Sequence, residues 1–306
     1  MQAAIIAPDG SFSLADHAAP QATAGAQLIT VAAAGIGPTD LMRAKGFFGP
    51  LAGPYIPGGE GVGALDDGTR VYFGHSIAPF GAMAEQTLVS DAEVWPIPAE
   101  LADDQVIGLA ISGTGALIPM EEARIRQGDN VLILGATGPV GQVALQLARI
   151  MGAGHIVAAA RSAGKLAALE ARGWADASVQ LGTGDDDAML KAASNGGFDV
   201  VLDVIYGPPA EAAMRATRPG ARMMSIGVQA GPTVTLSLRD LVFRSHIGVG
   251  TGQRPAAERR AAFERLMKMA AAGTLAVDTA IYPLNRAEEA WAAQAGSPHA
   301  KIVIGR

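Results

Sequence analysis

Cysteine is absent from this 306-residue sequence, so no disulfide can staple the chain and no thiolate can bind a metal. Histidine and carboxylates remain as possible zinc ligands. The five histidines, His17, His75, His155, His246 and His299, are scattered and lack the i, i+4 pairing of a helical metal site, so no bound metal is expected. Charge is scarce as well: 17% of residues are charged, with a net −6. Without a broad positive field, nucleic acid is not an expected partner. No stretch reaches the ~20 apolar residues of a bilayer-spanning helix. Met1–Pro8 has no basic segment ahead of its short apolar run, unlike a secretory signal. These absences lead to the expectation of a cytoplasmic, soluble protein with a small-molecule substrate and no membrane partner.

What is present is apolar residues, at 49% of the chain, and 39 glycines. That composition suits a well-buried globular protein, and the length suits two domains, since single cores stop growing near ~250–300 residues. Residues 1 to about 110 are rich in Gly, Pro and short β-like runs such as Gln27–Val31, with turn signals at Asp9-Gly10 and Asp67-Gly68. From 111 to 245, apolar strands alternate with amphipathic helices, the pattern of a parallel sheet with crossover helices. Strands are predicted at Asn130–Leu134, His155–Ala160, Ala177–Leu181, Asp199–Asp203 and Arg222–Ile226. The last segment predicts a helix at Ala257–Ala272, β-like runs at Val277–Tyr282 and Lys301–Ile304, and a helix at Ala287–Ala293 between them. The helix after Leu134 is expected to pack on the sheet through Val140, Val143, Ala144, Leu147, Ala148 and Met151, with Gln142 and Gln146 facing elsewhere.

Val131–Leu134 runs directly into Gly135-Ala136-Thr137-Gly138-Pro139-Val140-Gly141, followed at once by that helix. Glycine at 135 allows the tight turn, glycine at 138 lets backbone approach a pyrophosphate, and glycine at 141 lets the helix approach the sheet. Pro139 is tolerated because a first-turn residue has no intrahelical partner for its N–H. Exposed amides and the positive end of the helix dipole then suit a diphosphate. The alternative is a packing turn that binds nothing. NAD sites usually place a carboxylate ~20 residues after the glycines, but here the strand ends Ala160-Arg161-Ser162, with Lys165 next. Arg161, Ser162 and Lys165 suit the 2′-phosphate of NADPH better than the free ribose of NADH. Otherwise Arg161 and Lys165 are ordinary solvated cations.

With these parts in this order, the whole chain resembles the medium-chain dehydrogenase/reductase superfamily, in its zinc-free quinone oxidoreductase branch. The resemblance implies an α/β fold: a GroES-like mostly-β substrate domain (1–110 and 246–306) and a Rossmann, doubly wound parallel-sheet cofactor domain (111–245). Where zinc relatives read Gly-Ile-Cys-His-Thr-Asp, this chain has Gly35-Ile36-Gly37-Pro38-Thr39-Asp40. Gly59 replaces the His of their Gly-His-Glu motif, and their third ligand falls on Ala110 if their cofactor-contacting Thr is Thr114. Pro57–Gly63, Ser112-Gly113-Thr114, Tyr282-Pro283-Leu284 and the closing Ala300–Ile304 carry further likeness. The turn Ala64–Gly68 is shorter than the family's usual hairpin.

The resemblance further implies hydride transfer from NADPH to a quinone or an α,β-unsaturated carbonyl, chemistry that needs orientation and an oxyanion donor rather than a metal. Its alternatives are metal-free alcohol or aldehyde oxidoreduction, and a cofactor-binding protein with little turnover. Catalytic candidates are Thr39, at a relay-hydroxyl position, and Tyr55, just before the Pro57–Gly63 turn. Asp40 and Glu60 read as structural groups. Further cofactor contacts implied are Thr114, Asp203, Val204, Ile226, Gly227, Val228, Gly250 and Thr251, on the ground that ligands sit at the carboxyl ends of parallel strands. A homodimer is the family's usual state; the pointer here, apolar Val242–Val249, fits a core segment equally well.

Overall fold

A computed structural model describes residues 1–305 of the chain. Among them, two compact units form: Met1–Ile111 together with the segment from Ala256 onward, and Ser112–Pro255.

The first unit opens with an antiparallel hairpin of β1 (Gln2–Ile6) and β2 (Phe12–Asp16) around the Asp9-Gly10 turn. The long strand β3 (Ala26–Ile36) alternates as a half-buried strand should, with Ile29, Val31 and Ala33 inward and Thr30 and Ala32 outward. It leads through Gly37 into the short helix α1 (Pro38–Ala44). β4 (Glu60–Ala64) pairs antiparallel with β3 and with β5 (Arg70–Gly74). The β4–β5 turn is tight, Leu65 N–H donating to the Thr69 carbonyl at 3.0 Å. β6 (Gln86–Ser90) pairs with the first half of β3, and β7 (Val94–Pro96) lies along β5. α2 (Asp103–Glu122) follows.

The second unit alternates strand and helix: β8 (Asn130–Leu134), α3 (Pro139–Ile150), β9 (His155–Ala160), α4 (Ala163–Ala171), β10 (Ala177–Gln180) and α5 (Asp186–Ala193). It continues with β11 (Phe198–Asp203), α6 (Pro208–Arg215), β12 (Thr217–Ser225), the single turn α7 (Leu238–Leu241) and β13 (Ser245–Gly248). All six strands are parallel, in the order β10-β9-β8-β11-β12-β13. Every residue of β8 is buried, as expected of a parallel strand covered on both faces.

The chain then gives α8 (Ala256–Ala271), β14 (Thr279–Pro283), α9 (Ala287–Ala295) and β15 (Lys301–Gly305). β15 pairs antiparallel with β3, completing a sheet ordered β14-β15-β3-β4-β5-β7 in the first unit. Its core gathers Ile29, Ile36, Val71, Phe73, Val89, Ile302 and Ile304. Phe263 of α8 stacks on Tyr72 with ring centroids 4.9 Å apart. The fold is therefore α/β, with a mixed, mostly antiparallel sheet in one unit and a parallel sheet wound by helices in the other.

Two details differ from the sequence reading. β12 begins at Thr217 rather than Arg222, over a register shift opposite Phe198 and Val200. Gln142 and Gln146, expected away from the sheet-packing stripe, are nonetheless buried. Their amide groups are satisfied inside, Gln142 Nε2 donating to the Thr137 carbonyl at 3.0 Å and Gln146 Nε2 to the Gln142 carbonyl at 2.9 Å. A buried amide is tolerated where backbone carbonyls receive it.

Candidate functional site

Residues 135–141 form the turn between β8 and α3. Gly135 adopts φ +76°, in the left-handed region, and a Cβ there would lie 2.5 Å from Val204 Cγ2. Both facts require glycine. Its N–H and that of Ala136 donate to the Ala159 carbonyl at 2.9 and 3.2 Å, tying the turn to β9. At Gly141 a Cβ would meet Ala136 Cα and the Gly135 carbonyl oxygen, both at 2.5 Å, so helix and turn touch there. Gly138 is different: a Cβ would have the Gly135 carbonyl oxygen as its nearest neighbour, at 3.6 Å, and its φ is an ordinary −79°. The packing of the chain does not demand glycine at 138, whereas close approach of a ligand would. Pro139 opens α3, and among the described residues the amides of Val140 and Gly141 have no partner. Thr137 is buried with its carbonyl engaged by Gln142.

Beyond this turn the carboxyl ends of β11, β12 and β13 form adjoining loops. Asp203 is fully buried and turned inward: its carboxylate accepts from the amides of Ile205 and Tyr206 at 3.0 and 2.8 Å and from the Ser225 hydroxyl at 2.8 Å. Burial pushes its pKa up, while these hydrogen bonds oppose the rise. Val204 N–H donates to the Leu134 carbonyl at 3.3 Å, Ile226 N–H donates to the Asp203 carbonyl at 2.9 Å, and a Cβ at Gly227 would lie 2.1 Å from the Val204 carbonyl oxygen. Val204, Ile226 and Gly227 are thus packed against one another, with Val228 exposed. Gly250 precedes a 3₁₀ turn at Thr251–Gln253, and Val249 N–H donates to the Ser225 carbonyl at 2.8 Å.

Arg161 and Lys165 are exposed, and Ser162 is the residue preceding α4, its side chain making no capping bond. Among the described residues neither cation makes an ion pair. Thr114 is buried within α2, next to Gly115, where a Cβ would sit 3.8 Å from Val140 Cγ2.

In the first unit Thr39 is exposed on α1 and Tyr55 is half-buried, its backbone bridged to Ile6. The Tyr55 hydroxyl is buried and has no hydrogen-bond partner among the described residues. Burial, then the charge of Asp40, pushes its pKa up to about 12. Asp40 accepts from the Gly37 amide at 2.9 Å, and burial raises its pKa against the pull of that amide and of Lys301. Glu60 holds a lysine and a tyrosine: Lys301 Nζ donates to Oε1, and the Tyr72 hydroxyl donates to Oε2 at 3.0 Å. The sequence reading missed Lys301; the one signal for it was a lysine opening an otherwise apolar strand. Zinc does not fit these residues. Gly37, Gly59 and Ala110 offer no ligating side chain, and Lys301 Nζ lies 3.9 Å from where a Cβ on Gly37 would be.

Residues 139–272 match the family model described as zinc-binding dehydrogenase. Mouse quinone oxidoreductase-like protein 2 is 28% identical over 228 residues, 71% of this chain and 64% of that protein. Mouse prostaglandin reductase-3 is 29% identical over 206 residues, 64% of this chain and 54% of that protein. The chain thus matches less than two thirds of the length of these relatives. A solved quinone oxidoreductase from Thermus thermophilus, also described in complex with NADPH, superposes with a TM-score of 0.83 at 27% identity over the whole of both chains. By these matches the chain is similar to the medium-chain dehydrogenase/reductase superfamily, in its quinone oxidoreductase-like branch, and it lacks the zinc ligands at Gly37, Gly59 and Ala110.

Proposed function

We propose that this chain is a zinc-independent oxidoreductase that transfers hydride from NADPH to a quinone or an α,β-unsaturated carbonyl. The observation that carries the reading is the turn at 135–141: two partnerless first-turn amides, and a glycine at 138 that the protein's own packing does not need. The names of the relatives, a quinone oxidoreductase and a prostaglandin reductase, support the substrate class.

In this reading the nicotinamide, when bound, supplies the hydride, and the chain's own residues do the rest. The amides of Val140 and Gly141 hold the diphosphate, with Ala136, Thr137 and Pro139 shaping the turn. Arg161, Ser162 and Lys165 receive the 2′-phosphate. Thr114, Val204, Ile226, Gly227, Val228, Gly250 and Thr251 orient the dinucleotide, and Asp203 orders the loop that carries Val204. Tyr55 donates its proton-bearing hydroxyl to the oxyanion that develops on the substrate, and Thr39 relays a proton. The cofactor half, expected at 111–245, extends in this scheme to Pro255, since β13 joins the parallel sheet beside β12, and Met1–Ile111 with the segment from Ala256 onward is the substrate half. The protein works in the cytoplasm as a homodimer joined along β13, an edge strand that exposes Ile247, with Leu238 and Phe243 exposed in the segment leading into it.

The test is an assay of purified protein with NADPH against quinones, enones and enals. Consumption of NADPH with loss of the conjugated double bond, or with quinone reduction, is expected. No consumption with any acceptor rejects the proposal; carbonyl reduction that spares the double bond would move it to alcohol or aldehyde chemistry.

A further inference from the structure

Ser225, at the end of β12, stands between two groups that the hydride chemistry does not use. Its Oγ lies 2.8 Å from Asp203 Oδ2 and 3.0 Å from His246 Nε2. The direction of the bonds follows from counting protons. Asp203 Oδ1 accepts two amides, those of Ile205 and Tyr206, so the carboxylate acts as an acceptor throughout. The Ser225 hydroxyl has one hydrogen, given to Oδ2. Its oxygen can then only accept from His246, which places a proton on Nε2.

The loop held by this chain is under tension and in contact with the cofactor turn. Tyr206 adopts φ +59°, a conformation costly for a residue with a Cβ, and its ring packs on His246 with centroids 5.8 Å apart. At the other end of the loop, Val204 and Ile205 occupy the space that a Cβ on Gly135 would need, at 2.5 and 2.8 Å. Asp203 is the charged group acting on His246, and burial pulls the imidazole's pKa down against it. Across the β12–β13 ladder His246 lies in register with Met223, which carries no charge.

We infer that His246, acting through Ser225 and Asp203, is a positioning residue that seats the loop Val204–Gly207 on the Gly135 turn and so sets the affinity for the dinucleotide. The inference rests on the cofactor site proposed above. Ser225→Ala removes one hydrogen bond from Asp203 outright, and loss of His246 leaves the Ser225 hydroxyl free to turn away from Asp203; either change slackens the hold of Asp203 on the Tyr206 amide.

The test uses the full-length protein and four forms: the parent, Ser225→Ala, His246→Leu and His246→Gln. NADPH binding is measured by calorimetric titration, and exchange of the Ile205 and Tyr206 amides is measured without dinucleotide. Loss of one hydrogen bond predicts a Kd for NADPH raised about 3- to 10-fold in Ser225→Ala and His246→Leu, with faster exchange at both amides. His246→Gln keeps a donor at the same reach and is expected within about 2-fold of the parent, which a purely space-filling role for the ring does not predict. Unchanged affinity in Ser225→Ala and His246→Leu, or a His246→Gln protein as weak as His246→Leu, overturns the inference. A parent protein that does not bind NADPH overturns the cofactor site instead. Exchange then decides the rest: acceleration in His246→Leu upholds the seating of the loop, and no acceleration removes it.

Discussion

Tyr55 carries a buried hydroxyl with no partner among the described residues, and that arrangement costs stability unless a ligand uses it. With its pKa pushed up to about 12, the phenol keeps its proton at neutral pH and can only be a donor or a neutral acceptor there. Tyr55→Phe is therefore expected to leave the melting temperature unchanged or slightly raised, while turnover falls by roughly 10²-fold, the usual effect of losing an oxyanion donor. Unchanged kcat would remove Tyr55 from the chemistry. Arg161 is argued at the same scale. It is exposed and makes no ion pair among the described residues, so Arg161→Ala should not alter folding. It should weaken NADPH by about 10-fold or more through loss of charge-assisted bonds to a phosphate, and NADH hardly at all. Titration with both nucleotides checks this, and equal losses would return Arg161 to the solvated surface. The identities of both residues were legible in the sequence. That the Tyr55 hydroxyl is orphaned was not, because a tyrosine's hydrogen-bond partner depends on what the fold brings near it.

The turn from β8 into α3 is an element whose two inner glycines separate packing from binding. Gly141→Ala places a Cβ 2.5 Å from backbone atoms and is expected to destabilise the protein by about 1–3 kcal/mol, as overpacking does. Gly138→Ala meets the nearest protein atom at 3.6 Å, so it should unfold in urea much as the parent does while losing dinucleotide affinity. The reverse order of effects would show that the two glycines had been assigned the wrong roles. Elsewhere α8 is fastened to the Asp91–Glu93 turn by Arg259, which grips both oxygens of Glu93, one contact being 2.9 Å. Burial alone would raise the pKa of Glu93, but Arg259 and then His75 overcome it and hold the carboxyl below its usual value. A depressed folded-state pKa adds stability that is complete above the unfolded value and is lost as pH falls through the folded one. Glu93→Gln should thus cost roughly 1.5–3 kcal/mol at pH 7, with the difference from the parent closing on acidification below the ordinary carboxylate range. Urea melts along a pH series measure it, and a gap that persists in acid would contradict the assignment. The strand and helix themselves were legible because they rest on local pattern. The satisfied burial of Gln142 and Gln146 was not, since periodicity sets them off the sheet-packing stripe without telling what covers them there.

At the scale of the molecule, the apolar stretch Val242–Val249 fitted either core or interface from sequence. The structure places it at an open sheet edge, with Phe243 and Ile247 exposed and Leu238 exposed just ahead of it in the chain, which is why the dimer is proposed there. Ile247→Lys is expected to shift the protein from dimer to monomer in sedimentation velocity with its circular dichroism unchanged; a monomeric parent would remove the proposal. The sequence by itself determined the parallel order of strand and helix, the glycine turn, the cations after the second strand, and the loss of zinc ligands at Gly37, Gly59 and Ala110. Each of these is a matter of residue type or short-range spacing. Tertiary structure alone decided that Glu60 meets Lys301, 241 residues away, and that Asp203, Ser225 and His246 form one chain across three neighbouring strands. Such pairs are made by strand register and by loop closure over long stretches of chain. A carboxylate, a hydroxyl or an imidazole carries no mark in its neighbours of which distant partner register will bring to it.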